Sequence, residues 1–183
     1  MPARLYLARH GKAAAGWDAD PNPGLDETGR AQAEAMAARL ADLGPLSIIC
    51  SPLRRTRETA APLEAVWRTQ AVIEPDVAEV PSPSDDLAAR GAWLRGIMAG
   101  TWTQAGDGLA PWRRGVVDRL TAIAEDTVVV SHFSAINVAV GAATEDDRVV
   151  GFRPDNCSVT VLESDGSVLR LIERGAEAVT EVR

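Results

Sequence analysis

Residues 5–12 read Leu5-Tyr6-Leu7-Ala8-Arg9-His10-Gly11-Lys12, an apolar run stopped by an arginine, a histidine and a glycine. The run suits a buried strand feeding a loop, so a first strand is predicted to end at the Arg-His-Gly tripeptide. Taken alone, the tripeptide also suits a surface turn after an edge strand. The choice depends on whether the rest of the chain repeats the order strand, loop, helix and sets further histidines and arginines at strand ends.

Downstream the order does repeat. From Glu27-Thr28-Gly29 the run RAQAEAMAARLADLG sets Met36, Leu40 and Leu43 on one stripe and stops at Gly44-Pro45, which predicts a helix. Leu46 to Cys50 reads as a second buried strand, followed by a helix from Leu53 to about Trp67 in which Pro62 should introduce a kink or mark a late start. A third strand is expected from Gln70 to Val77. Pro81 to Ser84 opens a region, 81–115, that carries Trp93, Trp102 and Trp112; it reads as a helix near Asp85 to Met98 plus a loop, a lid over one end of the sheet. Pro111 can occupy the first turn of the next helix, where Val116, Val117, Leu120 and Ile123 repeat at helical spacing. The β-branched run Thr127 to Val130 ends at Ser131-His132-Phe133-Ser134, ahead of helical AINVAVGAA. Ser158 to Glu163 and Val168 to Glu173 flank Ser164-Asp165-Gly166-Ser167, a hairpin signal. This alternation predicts an α/β fold: a three-layer α/β/α sandwich with a mostly parallel central sheet and a C-terminal hairpin.

The 183 residues suffice for one buried core and are read as a single domain, 1–183. Acidic residues (26) exceed Lys plus Arg (19), and the net charge of −7 argues against a nucleic-acid partner. An anionic ligand would need a local positive pocket. With no apolar stretch of signal-peptide or membrane-span length, the chain is expected to be cytoplasmic and to have no membrane partner. Cys50 and Cys157 lie far apart without Cys-x-x-Cys spacing, so they read as reduced, partly buried thiols. The sequence leaves the oligomeric state open.

In open α/β sheets, ligands sit at the carboxyl ends of the strands. That rule gathers Arg9 and His10 after the first strand, Arg54 and Arg55 after the second, Glu79 after the third, and His132 after the fourth. Neutral imidazole is a nucleophile, and passing a phosphoryl group through phosphohistidine splits one hard displacement into two easier ones. Arginines bind phosphoryl oxygens through charge-assisted hydrogen bonds, a second histidine adds a donor, and nearby cations favour the neutral, attacking form of His10. Gly11 would let the backbone approach the phosphate.

The blocks Arg9-His10-Gly11, Leu25 to Ala33 (LDETGRAQA), Ser51 to Ala60 (SPLRRTRETA) and Val129-Val130-Ser131-His132 resemble, in order and spacing, the signature blocks of the histidine phosphatase superfamily, phosphoglycerate mutase-like branch. Asn156-Cys157-Ser158-Val159 resembles a further block. The resemblance implies a phosphoglycerate mutase-like fold, with His10 as the phosphate-accepting nucleophile and Arg9, Arg55 and His132 as the phosphate pocket. Arg55 fits better than Arg54, because the family's arginine lies four residues after the serine; Arg54 and Arg57 then read as solvated helix surface. It also implies that Glu79 is the proton donor, although the Gly and Glu-Gly sequel found in relatives is replaced here by Val80-Pro81-Ser82-Pro83-Ser84. Asp85 or Asp86 is the reserve, each with the other reading of a helix N-terminal charge.

Lys12 departs from the Glu or Gln common after Arg-His-Gly; it either contacts a second anionic group of the substrate or points to solvent. Trp17 either lines the entrance or packs beneath the loop. No metal and no cofactor are expected, since both histidines have roles. The implied activity is hydrolysis of a small phosphorylated substrate. Alternatives are mutase-type transfer, removal of phosphate from phosphohistidine or phosphoserine on a protein, and a non-catalytic phosphate-binding module, which would not need the nucleophile. The related mutases carry extra enclosing segments and a C-terminal tail, whereas Arg174 to Arg183 alone follow the expected hairpin.

Overall fold

The structure is a computed structural model that describes residues 1–16 and 18–178. Its strands are β1 (Ala3–Arg9), β2 (Ser47–Cys50), β3 (Val72–Ile73), β4 (Thr127–Ser131), β5 (Val159–Ser164) and β6 (Leu169–Glu173). Its helices are α1 (Glu27–Leu40), α2 (Arg54–Trp67), α3 (Leu87–Met98), α4 (Trp102–Ala105), α5 (Ala110–Thr121) and α6 (Phe133–Thr144). The strands form one sheet in the order β3-β2-β4-β1-β5-β6. β3, β2, β4 and β1 pair in parallel, while β5 runs antiparallel to both β1 and β6. This is the expected mixed α/β architecture with its C-terminal hairpin.

Alternate residues of the inner strands supply two cores. Leu5, Leu7 and Val129 pack with Val116 and Leu120 of α5 and Ile136 and Ala139 of α6. Ala8, Ile48, Val128 and Val130 pack with Met36 and Leu40 of α1 and Leu63 and Trp67 of α2. All five residues of β4 are buried, as a central strand covered on both faces requires. Among the described residues no helix is long and apolar enough to cross a membrane. Both cysteines are free and buried.

Two expected elements differ, and in α2 one of the two readings of Pro62 is excluded. Leu43 leaves the α1 stripe: residues 41–43 tighten into a 3-10 turn, and Leu43 is 44% exposed. Pro62 lies inside α2 and does not mark its start. The helix survives the lost backbone donor because Ala60, Leu63 and Trp67 are buried around it and Trp67 Nε1 donates to the Ala41 carbonyl at 3.0 Å. The strand expected over 70–77 shrinks to Val72–Ile73, because Pro75 has no N–H for a ladder and Glu74 caps a 3-10 turn over Pro75–Val77 by accepting from the Asp76 N–H. In the 81–115 region, α3 starts at the Asp86 cap, and Trp102 and Trp112 pack together with ring centroids 5.9 Å apart.

The loop after β1 is fixed from several sides. The His10 N–H donates to the Ser131 carbonyl at 3.0 Å, and Asn156 Nδ2 donates to the His10 carbonyl at 2.9 Å. The first turn of α1 presses on the same loop: a Cβ at Gly11 would stand 2.6 Å from the Gly29 carbonyl oxygen, and one at Gly29 would overlap the Lys12 carbonyl. Both contacts are with backbone and cannot swing away. Gly29→Ala gains at most about 1 kcal/mol of helix propensity, whereas forcing the loop aside costs about 1–3 kcal/mol. The variant should therefore be destabilised, with a lower urea midpoint than the parent; a higher midpoint would contradict the close approach.

Candidate active site

Parallel pairing in register sets Arg9 opposite Ser131, so the residues that follow β1 and β4, His10 and His132, emerge side by side. Their rings lie 5.3 Å apart in an edge-to-face arrangement. Arg55, in the first turn of α2, and Glu79, just after the Pro75–Val77 turn, reach the same place. A cavity of about 770 Å³ opens there, lined by Arg9, His10, Arg55 and Glu79 and, from α3, by Arg90, Leu94 and Met98. His132 lies behind the wall, fully buried.

His10 Nδ1 is 2.7 Å from the Gly11 carbonyl oxygen. A carbonyl only accepts, so Nδ1 carries the ring proton and Nε2 keeps its lone pair. Arg55 Nε donates to that Nε2 at 3.3 Å. Burial, then the Arg55 and Arg9 charges, hold the His10 pKa well below the ordinary 6.5. The imidazole is thus neutral at neutral pH, with its basic nitrogen beside a guanidinium. Arg9 Nη1 donates to the Pro154 carbonyl at 2.9 Å, and its guanidinium lies 5.3 Å from the centre of the Phe133 ring. Burial lowers the pKa of both arginines, and Glu79 opposes it in each.

Glu79 is buried, and burial raises its pKa above the ordinary 4.5. Arg55, the Val80 N–H, the Ser134 hydroxyl and Arg9 pull the other way. The Val80 N–H donates to Oε1 at 3.0 Å, and Oε2 stands 3.6 Å from His132 Nδ1. His132 Nε2 is 2.8 Å from Ser51 Oγ, while Nδ1 is buried without a hydrogen-bond partner among the described residues. Burial first, then His10, Arg55 and Arg9, hold the His132 pKa well below 6.5.

The remaining candidates separate. Gly11 does not line the cavity; its N–H donates to Thr59 Oγ1 at 2.9 Å, and the α1 backbone at Gly29 packs against it. Lys12 reaches the rim, 58% exposed, with Nζ 3.1 Å from Asp26 Oδ2. Trp17 lies outside the described residues. Asp86 caps α3 by accepting from the Ala89 N–H at 2.8 Å and Asp85 is exposed; neither lines the cavity. Arg54 turns outward to Glu58, and Arg57 is exposed. Sequence reasoning did not single out Ser51, Thr59, Ser134 or Arg90 as site residues. Ser51 and Thr59 sit within a quoted block, so their position in it was the available signal; nothing in periodicity marks Ser134 or Arg90. Among the described residues no group of three or more His, Cys, Asp or Glu is placed to hold a metal ion.

Residues 5–82 match the family model described as histidine phosphatase superfamily (branch 1). A protein of Erwinia tasmaniensis named a probable phosphoglycerate mutase is 27% identical over 189 residues, which span 90% of this chain and 86% of that protein. The structure of a mycobacterial glucosyl-3-phosphoglycerate phosphatase superposes with a TM-score of 0.74 at 25% identity, covering 97% of this chain and 100% of that one. A Bacillus stearothermophilus protein, YhfR, shares the fold with a TM-score of 0.79 at 18% identity, over 96% of this chain and 98% of its own.

Two histidines buried in neutral form make stability depend on pH with a definite sign. Below 6.5 the unfolded chain binds protons that the folded state refuses, so the unfolded state holds more protons and stability falls as pH drops. Glu79, whose pKa is raised, acts in the opposite sense at lower pH, where the folded state keeps its proton. The thermal midpoint should fall between about pH 7 and pH 5.5, and His10→Asn should flatten that slope. A midpoint unchanged over this range would show that the rings are not held neutral.

Proposed function

We propose that this member of the histidine phosphatase superfamily is a metal-independent, cytoplasmic phosphomonoester hydrolase that acts on a small phosphorylated substrate through a phosphohistidine on His10. The observation that carries the reading is the state of His10: buried, neutral, Nδ1 engaged by the Gly11 carbonyl, and Nε2 within 3.3 Å of a guanidinium suited to phosphoryl oxygens. The Nε2 lone pair attacks phosphorus, the bond from phosphorus to the ester oxygen breaks, and protonated Glu79 gives its proton to the leaving alkoxide. Glu79, now a carboxylate, takes a proton from water as that water attacks phosphorus; the phosphorus–nitrogen bond breaks and His10 is restored. Arg9, Arg55 and His132 hold the phosphoryl oxygens, so the pocket supplies position and charge. Residues 81–115 act as a lid, with Arg90, Leu94 and Met98 facing the cavity.

Mutase-type transfer is the second reading. Lys12 at the rim, close enough to the cavity for a second anionic group, favours it, as does the relative named a probable phosphoglycerate mutase. The phosphatase among the similar structures supports hydrolysis.

Product analysis separates the two. With 3-phosphoglycerate and a panel of phosphomonoesters in excess EDTA, inorganic phosphate should appear in step with substrate loss. Rapid isomerisation with little phosphate would establish transfer instead, and activity lost to EDTA but restored by a divalent ion would end the metal-independent reading. Glu79→Gln should slow hydrolysis of alkyl phosphates by roughly 10² to 10⁴ while sparing activated aryl esters, whose leaving groups need little protonation. Equal losses for both substrates would reduce Glu79 to a structural role.

A further inference from the structure

His132 is neutral, so it carries one N–H, and the atom that bears it decides whether the nitrogen facing Glu79 is a donor or a lone pair. The hydrogen bonds around the ring settle this. Ser51 is fully buried, and its Oγ has two partners among the described residues: the Leu53 N–H, which donates to it at 3.3 Å, and His132 Nε2 at 2.8 Å. An N–H cannot accept, so the only acceptor for the hydroxyl proton is Nε2. If Nε2 carried the proton instead, Ser51 would hold two incoming donors and a buried hydroxyl proton with nowhere to go. With Ser51 as donor its hydroxyl and Nε2 are both matched, and the ring proton sits on Nδ1, which has no hydrogen-bond partner among the described residues. That nitrogen is 3.6 Å from Glu79 Oε2, in a ring 5.3 Å from that of His10.

We infer that Ser51 is a positioning residue: its hydroxyl donates to His132 Nε2 and so fixes the tautomer whose Nδ1–H faces the reaction centre. The consequence for turnover rests on the reading above, in which His132 donates to the phosphoryl group; the tautomer itself does not. The strand-to-helix link supports the assignment. Ser51 follows β2 directly and its carbonyl accepts from Thr56 Oγ1 at 2.9 Å, so α2 holds the Ser51 backbone, while His132 follows β4 directly.

The chain has two histidines, which makes the test direct: two-bond ¹H–¹⁵N spectra of histidine-labelled protein, with His10→Asn used to assign the rings. In the parent, both rings should be protonated at Nδ1. In Ser51→Ala the His132 pattern should move toward the Nε2–H form, and kcat for an aryl phosphate should fall by about 10²-fold, the usual loss when one donor to a developing charge is removed. Ser51→Thr, which keeps the hydroxyl, should restore both. An Nε2–H ring at His132 in the parent, or an unchanged His132 pattern in folded Ser51→Ala, would overturn the assignment. A parent with the Nδ1–H pattern and no turnover on any phosphomonoester would overturn the proposed reaction and leave Ser51 in its role.

Discussion

The 2.7 Å hydrogen bond from His10 Nδ1 to the Gly11 carbonyl leaves one nitrogen of the buried ring with a free electron pair, and much of the neighbouring structure holds that bond in place. The Gly11 N–H donates to Thr59 Oγ1, and Thr59 Oγ1 donates in turn to the Arg55 carbonyl at 2.7 Å. Arg55 lies one turn earlier on α2 and sends its own Nε to His10 Nε2. One helix therefore grips both sides of the imidazole, through Thr59 and Gly11 on one and through a guanidinium on the other. Such a closed set of contacts leaves the ring little freedom to turn.

The scaffold explains why residues so far apart in sequence meet. β4 is inserted between β2 and β1, and its pairing with each puts Ser51, His10 and His132 at three adjacent strand ends. The two cores hold this sheet from opposite faces, so the strand ends have little freedom to drift. Glu79 enters differently. It hangs from an irregular segment that Ser131 Oγ ties to the sheet by donating to the Val77 carbonyl at 2.7 Å.

The sequence made Arg9, His10, Arg55 and His132 legible because each ends or follows a strand or begins a helix within a recognisable block, and strand ends converge by topology. The hairpin and the α5 pattern were legible for the same local reasons. β3 was not: its apolar residues have strand propensity, but Pro75 and the Glu74 cap decide the outcome, and Val72 at 62% exposed is an edge with no core to extend it. For Gly11, sequence shows that a backbone must come close without showing what it approaches, and the structure places the Gly29 backbone against it. Asp85 and Asp86 kept two readings in sequence, and the Asp86 cap on α3 settles only the second of them. Ser51 was marked only by its place in a block, and Ser134 by nothing, because a serine's importance here lies in which ring or carboxyl it touches, which tertiary structure decides.

Burial acts on the two central groups with opposite sign: it lowers the His10 pKa and raises that of Glu79, so one dry cavity wall favours both a neutral base and a protonated acid. Arg9 and Arg55 do not share that symmetry. They lower both values, which helps His10 and works against protonated Glu79. The positive charge in the pocket therefore sets a limit on how far burial raises the Glu79 pKa. The surrounding carboxylates fit this limit: Asp155 acts on Arg9, Asp20 acts on Arg55, and the next cation along the loop, Lys12, is kept at the rim against Asp26. Arg54, adjacent to Arg55 in sequence, is turned outward to Glu58. A negatively charged group placed beside the arginines would offset them and raise the Glu79 pKa further.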